Sequence, residues 1–291
     1  MRFFLPILGG LVTLSTLVGC VSGVDGLRYD HPAIRERQKQ SLRSVQNDSI
    51  AGRSLKDFFN DRIGLIGGKE GIATGRAVPV SRDGYFLTAW HVVDQPYFEL
   101  RRTRMLRELP MGTGVIDRDR YFRDEKFPGR VVWKDPVRDL ALVHFSVISD
   151  QPFHPVSSHC SNGTEVFAAA SGLNSGTLFL PNQGGLRDGV GNGPYATAGH
   201  ITACEETEGE IREFSYQATL VARGGMSGGA VVESGGRLCG IITGARFFLH
   251  PAVHLRTTFG MLEARDLLRL IAGDRHSSKL RPVASGLPEA G

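Results

Sequence analysis

Gly224-Gly225-Met226-Ser227-Gly228-Gly229-Ala230-Val231-Val232 sets a serine between pairs of glycines, just ahead of an apolar run. Residues without a Cβ let the backbone turn tightly and approach another chain closely. A backbone bent this way can aim the amides of Gly225 and Ser227 at one point. That is the geometry of an oxyanion hole, with donors about 2.7–3.1 Å from a developing oxyanion. A Gly-rich hairpin turn with an incidental serine has the same composition, so the segment is decided by its company.

Two upstream segments supply that company. In Asp83-Gly84-Tyr85-Phe86-Leu87-Thr88-Ala89-Trp90-His91-Val92-Val93, an Asp-Gly turn leads into an apolar strand that stops at a histidine. An imidazole at a strand end lies beside a cleft, although a lone histidine there is more often structural. In Asp135-Pro136-Val137-Arg138-Asp139-Leu140-Ala141-Leu142-Val143, an aspartate immediately precedes a second apolar strand. Alone, it reads equally as a turn residue.

The texture around these segments is short and apolar. Candidate strands are Ala77–Val80, Tyr85–Ala89, Arg130–Lys134, Leu140–Phe145, Val166–Ala170, Ala198–Ala203, Ser215–Val221, Gly229–Glu233 and Leu238–Thr243. Many short strands at even spacing argue for an all-β barrel or sandwich, and no βαβ alternation supports a Rossmann or hydrolase sheet. The 37 glycines and 14 prolines fit many turns, and a 41% hydrophobic share permits a sizeable core. Met261, Ala264, Leu267, Leu268 and Ile271 recur at helical spacing, so an amphipathic helix is expected near the end, capped by Gly273.

The order His, Asp, Ser at these intervals resembles the trypsin/chymotrypsin superfamily. The wording is nearest its bacterial HtrA-like branch: Leu-Thr-x-x-His-Val-Val, Asp-Leu-Ala-Leu-Val and Gly-x-Ser-Gly-Gly boxes, over about Thr74 to Ile271. The resemblance implies two six-stranded antiparallel β-barrels, with the active site in the crevice between them. It implies a serine endopeptidase in which His91 and Asp139 come from the first barrel and Ser227 from the second. A Ser hydroxyl is a poor nucleophile at neutral pH and needs a base. His91 would take its proton and Asp139 would orient the imidazole, while the amides of Gly225 and Ser227 hold the oxyanion. The rival reading is a catalytically silent trypsin-like fold used as a binding or scaffold module.

Further expectations rest on the same resemblance. The base of the primary specificity pocket falls on Val221, and its wall on Thr243, Gly244 and Ala245. An uncharged valine floor favours small or medium aliphatic residues before the scissile bond. In the superfamily the strand at Val166–Ala170 runs antiparallel to that at Ala198–Ala203, which favours a Cys160–Cys204 disulfide and leaves Cys239 buried. Two departures stand out. Met226 takes the place where animal relatives carry the aspartate used in zymogen activation, and Trp90 precedes the histidine where a small residue is usual.

At the N-terminus, an apolar run from Phe3 to Val18 has the length of a signal-peptide core and is too short for a comfortable membrane span. It ends in Leu17-Val18-Gly19-Cys20, which resembles the lipobox of bacterial lipoproteins, with Cys20 as the acylated residue. Val21 follows where aspartate favours inner-membrane retention, so the expected place is the outer membrane, facing the periplasm. The division expected is a signal peptide over 1–19, a polar tether over 20–62, the peptidase domain over 63–274 and a disordered tail over 275–291. The stretch Gly172–Gly193 reads as a mobile loop and Arg101–Arg107 as a solvated basic loop.

Partners expected are polypeptide substrates and the lipid bilayer. A net charge of +4 spread along the chain argues against nucleic acid. His250 and His254 are separated by Pro251, and His154 and His159 flank Pro155, without a metal-ligand pattern. No metal and no cofactor is expected.

Overall fold

The computed structural model describes residues 48–59, 62–69, 73–105, 122–169, 196–207, 209–222, 225–249 and 253–280. The chain forms two closed six-stranded barrels, antiparallel throughout. The first barrel comprises β3 (Gly64–Gly68), β4 (Ala73–Pro79), β5 (Tyr85–Ala89), β6 (Phe98–Met105), β7 (Phe122–Asp135) and β8 (Leu140–Phe145), in the order β3-β4-β5-β8-β7-β6. The second comprises β9 (Glu165–Ala169), β10 (Ala196–Thr207), β11 (Glu213–Ala218), β12 (Ala230–Glu233), β13 (Leu238–Leu249) and β14 (Val253–Leu262), in the order β10-β11-β14-β13-β12-β9. The expected all-β double barrel with a C-terminal helix is the architecture found.

The run Leu140–Phe145 has little polar alternation because both its faces are covered. Leu140 and Leu142 join the large core that includes the second barrel, while Ala141, Val143 and Phe145 fill the first. A strand buried on both faces reads as a continuous apolar run. β5 behaves alike: Tyr85 and Leu87 look one way, Phe86 and Ala89 the other. These two paired strands form the wall between the barrels.

Several expectations are corrected. The tether does not run to 62: β1 (Ser49–Ile50), β2 (Arg53–Ser54) and α1 (Leu55–Phe59) are folded. Ile50, Leu55, Phe58 and Phe59 are buried in the large core, and Arg62 lies over the Phe58 and Phe153 rings. Few apolar residues in a polar stretch suffice here because aromatic pairs bury much area each. Arg101 to Met105 is strand rather than solvated loop: it pairs with β7, and Arg101 bonds Glu99 and the carbonyl of Gly68. The long stems of arginine tolerate such half-buried strand positions. Residues 1–47, 106–107 and 170–195, with the signal peptide, Cys20 and the Gly172–Gly193 stretch, lie outside the described residues.

The closing helix α3 (Ala264–Leu280) passes through Gly273 and continues into the stretch expected to be disordered. Met261 belongs to β14 instead. Gly273 has open space around it, so nothing there demands a cap. The extra turns are held by polar contacts to the first barrel. Asp274 accepts from Tyr85 Oη at 2.8 Å and from Arg130 Nη1 at 2.8 Å, and Arg275 pairs with Asp83.

The disulfide joins Cys160 to Cys239, with Cα atoms 6.1 Å apart, and Cys204 is free. The expected Cys160–Cys204 bridge is therefore wrong. β9 and β10 do pair antiparallel, but the chain before β9 leaves that sheet. Pro155 bridges Leu238 in parallel, and Val156 and Leu238 exchange backbone bonds with that neighbourhood, which delivers Cys160 to Cys239. Cys239 is buried, as expected. Cys204 sits opposite Tyr216 on β11, and burial pushes its thiol pKa up. Among the described residues no helix is long and apolar enough to cross a membrane.

Candidate active site

The register of the wall strands builds the first half of the site. Ala89 pairs with Leu140, so the residue after β5 meets the residue before β8. There the strand turns into α2 (Trp90–Val93), and Trp90 N donates to the carbonyl of Asp139 at 3.0 Å. Asp139 then takes both available bonds from His91. The backbone N–H of His91 donates to Oδ1 at 2.8 Å, and Nδ1 lies 2.6 Å from Oδ2. Asp139 holds φ +59°, a left-handed conformation that few non-glycine residues adopt. Such strain costs of order 1–3 kcal/mol and persists where the surroundings over-determine it. Three hydrogen bonds to neighbouring His91 and Trp90 supply that determination.

This two-point grip decides the imidazole's chemistry. A carboxylate oxygen at Nδ1 favours the tautomer that carries its proton there, which would leave Nε2 as the accepting nitrogen. Trp90 itself is half-buried at the rim of the first barrel, under Lys134, whose Nζ stands 4.1 Å from the ring centroid. The bulky ring thus replaces the usual small residue without entering the barrel.

The serine turn belongs to the second barrel but is stitched to the first. Gly228 N donates to the carbonyl of Ile242 at 2.7 Å, and Ile242 N to that of Gly229 at 2.9 Å, which fixes the turn on β13. Across the interface Arg76 N donates to the carbonyl of Ser227 at 2.7 Å, and Arg76 Nε to that of Gly225 at 3.2 Å. The glycines have different reasons. Gly228 (φ +77°) leaves no room: a Cβ would stand 2.0 Å from the Arg76 carbonyl oxygen. Gly225 (φ +81°) is exposed, with open space around it. Ser227 is buried, and so is Met226, which packs in the large core where the activation aspartate would otherwise stand.

Gly75 lies where the two halves meet. A Cβ there would be 2.5 Å from Val92 Cγ2 and 2.8 Å from the Ser227 carbonyl oxygen. Val92 directly follows His91, so β4, α2 and the serine turn pack at one place. His91 and Asp139 are bonded to each other, and the Ser227 backbone is held against the strand beside them.

The expected pocket residues also share a framework. Leu220, Val221 and Ala222 are held by two buried threonines. Thr257 Oγ1 donates to the carbonyl of Leu220 at 2.8 Å and accepts from Ala222 N at 3.1 Å, while Thr197 Oγ1 accepts from Val221 N at 3.1 Å. Thr257 pairs with Ala245 across β13 and β14. The ladder skips Thr243, where the register shifts between Ile242 and Gly244. Such bulges re-aim side chains and concentrate near active sites. Sequence reasoning missed Thr197, Thr257 and Arg76. For the two threonines the signal is a polar residue at a buried strand position, whereas Arg76 is half-buried and acts through its backbone N–H and Nε.

A model of the trypsin-like peptidase domain matches residues 73–241. The chain belongs to this family. No curated protein matches its sequence. Among solved structures, it is similar to the MamO protease domain from Magnetospirillum magneticum in its apo form, with 20% identity and a TM-score of 0.46, over 70% of this chain and 94% of that one. The serine endoprotease from Yersinia pestis gives 19% identity and 0.46, over 75% and 67%. The HtrA-type protease AlgW, determined with a decapeptide, gives 22% identity and 0.44, over 70% of this chain and 52% of AlgW. The chain thus spans about half of AlgW.

Proposed function

We propose that this trypsin-like peptidase is an active serine endopeptidase with His91, Asp139 and Ser227 as its triad. The observation that carries the reading is the pair of hydrogen bonds between Asp139 and His91, through the backbone N–H and through Nδ1. It presets one tautomer, with Nε2 as the general base. In the first half-reaction His91 Nε2 takes the Ser227 hydroxyl proton as Oγ attacks the substrate carbonyl. The tetrahedral oxyanion is held by the amides of Gly225 and Ser227, a contribution of about 3–4 kcal/mol per donor in comparable sites. Collapse breaks the C–N bond, and the imidazolium returns its proton to the leaving amine. Water, activated by the same imidazole, then hydrolyses the acyl-enzyme.

Val221, with Thr243, Gly244 and Ala245, forms the primary pocket. It carries no formal charge, so an Arg or Lys side chain would lose its hydration without a partner. Residues of aliphatic character are therefore preferred before the scissile bond. Substrates are exported polypeptides, because the N-terminal Leu17-Val18-Gly19-Cys20 supplies an export signal and a lipid anchor at Cys20, facing the periplasm from the outer membrane. Incorporation of labelled palmitate into wild type but not Cys20→Ser tests the anchor. Peptide hydrolysis by the purified chain, set beside His91→Ala, tests the activity. Equal turnover by the two leaves the reading without support.

A further inference from the structure

The turn that carries Asp139 meets the second barrel chiefly through the Arg138 side chain, with Asp135 also facing Glu213. Asp135 closes the turn: Oδ1 accepts from Val137 N at 2.7 Å and from Arg138 N at 3.1 Å, and Oδ2 from Arg138 Nη1 at 2.8 Å. The other edge of the Arg138 guanidinium crosses to β10. Nε and Nη2 donate to Thr207 Oγ1 at 3.1 and 2.6 Å. Glu213, paired with Thr207 across the β10–β11 ladder, is buried with Oε2 3.9 Å from Arg138 Nε. Arg138, the residue immediately before Asp139, therefore bridges Asp135 to the last rung of a second-barrel hairpin.

We propose that Arg138 is a positioning residue that docks the Asp139 turn on the second barrel through Thr207 and buried Glu213. The geometry of the His91–Asp139 pair is then set by both barrels. This rests on the catalytic reading of those residues. The docking matters because Asp139 is held in a strained conformation, and a displaced carboxylate would release Nδ1. Misplacement by about 1 Å of a catalytic group can cost on the order of 100-fold.

The charges around the bridge agree with this arrangement. Glu213 faces Asp135 and Arg138 from the β7–β8 turn, Thr207 from β10 and Leu262 from β14. Burial, and then Asp135, push its pKa up to about 7. Burial also opposes ionisation of Asp135, but the N–H and guanidinium of Arg138 outweigh it and keep that carboxyl below its usual range. A protonated Glu213 beside ionised Asp135 leaves Arg138 with one full counter-charge.

The test uses the full chain with ¹⁵N-labelled histidine, so that the Nδ1–H of His91 is read directly. Arg138→Ala should speed exchange of this proton with water by about ten-fold or more, and lower kcat by a similar factor with KM nearly unchanged. Arg138→Lys should recover part of both, since an ammonium reaches only one of the partners. Thr207→Val, nearly isosteric, should show the same direction with a smaller effect, and guards against a misfolded Arg138→Ala. Unchanged exchange and kcat in Arg138→Ala and Thr207→Val would overturn the proposal. A protein without hydrolytic activity would defeat the peptidase reading, yet the exchange measurement would still decide whether Arg138 positions Asp139.

Discussion

Arg76 donates its backbone N–H to the carbonyl of Ser227 at 2.7 Å, so a strand of the first barrel fixes the nucleophile turn of the second. Thr88 Oγ1 in turn donates to the Arg76 carbonyl at 2.6 Å, three residues ahead of His91 on the same run of chain. The serine turn and the histidine are thus referenced to one stretch of backbone across the interface. Loss of either barrel's register would separate them.

This packing makes two glycines of one motif unequal. Gly228→Ala adds a Cβ against the Arg76 carbonyl, 2.0 Å away, and against Thr88 Oγ1, 2.6 Å away, at a positive φ. Backbone cannot yield as a flexible side chain can, so the variant should lose about 3 kcal/mol or more of stability. Gly225→Ala meets nothing within 4 Å, and only its φ of +81° is disfavoured. It should cost about 1–2 kcal/mol. Urea unfolding of both variants measures the difference, and equal losses would refute the packing argument.

The pocket assignment makes a charge-directed prediction. Val221 N is anchored by Thr197 Oγ1, so the backbone at this position stays fixed when the side chain changes. Val221→Asp should shift preference before the scissile bond from aliphatic residues to Arg and Lys. Cleavage profiling of a peptide library reads this. Wild-type preference for Arg, Lys or Glu would show that Val221 does not floor the pocket.

Glu213 gives stability a pH dependence of known sign. Its pKa is raised from 4.5 to about 7, chiefly by burial, so the folded state holds the proton more tightly than the unfolded chain. That contribution is full below about 4.5 and lost as pH rises through 7. Glu213→Gln stays neutral at every pH. Its melting temperature should therefore gain on wild type by a few degrees between pH 5 and 8, at about 2–4 °C per kcal/mol for this size. A difference that stays flat over this range would exclude the buried, protonated state.

Among the described residues, the cysteines divide into one structural pair and one half-buried thiol. Cys160 and Cys239 close a loop of sequence separation 79, and breaking a native bridge of that kind costs about 2–5 kcal/mol. Cys239→Ser should show that loss, whereas Cys204→Ser should be near neutral. Alkylation followed by peptide mass analysis should find Cys204 modified in the unreduced, unfolded chain. Modified Cys239 there would contradict the pairing.

The barrels and their candidate residues were legible because three short motifs report local geometry. Leu140–Phe145 and Tyr85–Ala89 were read to the residue, since strands walled on both sides are apolar throughout. What failed was set by tertiary contacts. Gly64–Gly68 carries too little apolar side chain to look like a strand, and Phe98–Met105 is obscured by arginines whose partners include Glu99 on the same strand, Gly68 on β3 and Ile148 after β8. Ser49 to Phe59 looks like linker until Phe153 and the core beneath it are known. The disulfide depended on a parallel bridge at Pro155, which no spacing of cysteines records. Arg138 was invisible as a functional residue because Thr207 and Glu213 lie far away in sequence.

The most direct test of the central claim is covalent labelling of the purified chain with a fluorophosphonate. A buried serine with a preset imidazole base should be labelled stoichiometrically at Ser227. Labelling should vanish in Ser227→Ala and fall by about 1,000-fold or more in His91→Ala, with both variants unfolding near the wild-type midpoint. Wild-type protein that stays unlabelled while folded, or that carries the label on another residue, would contradict the account.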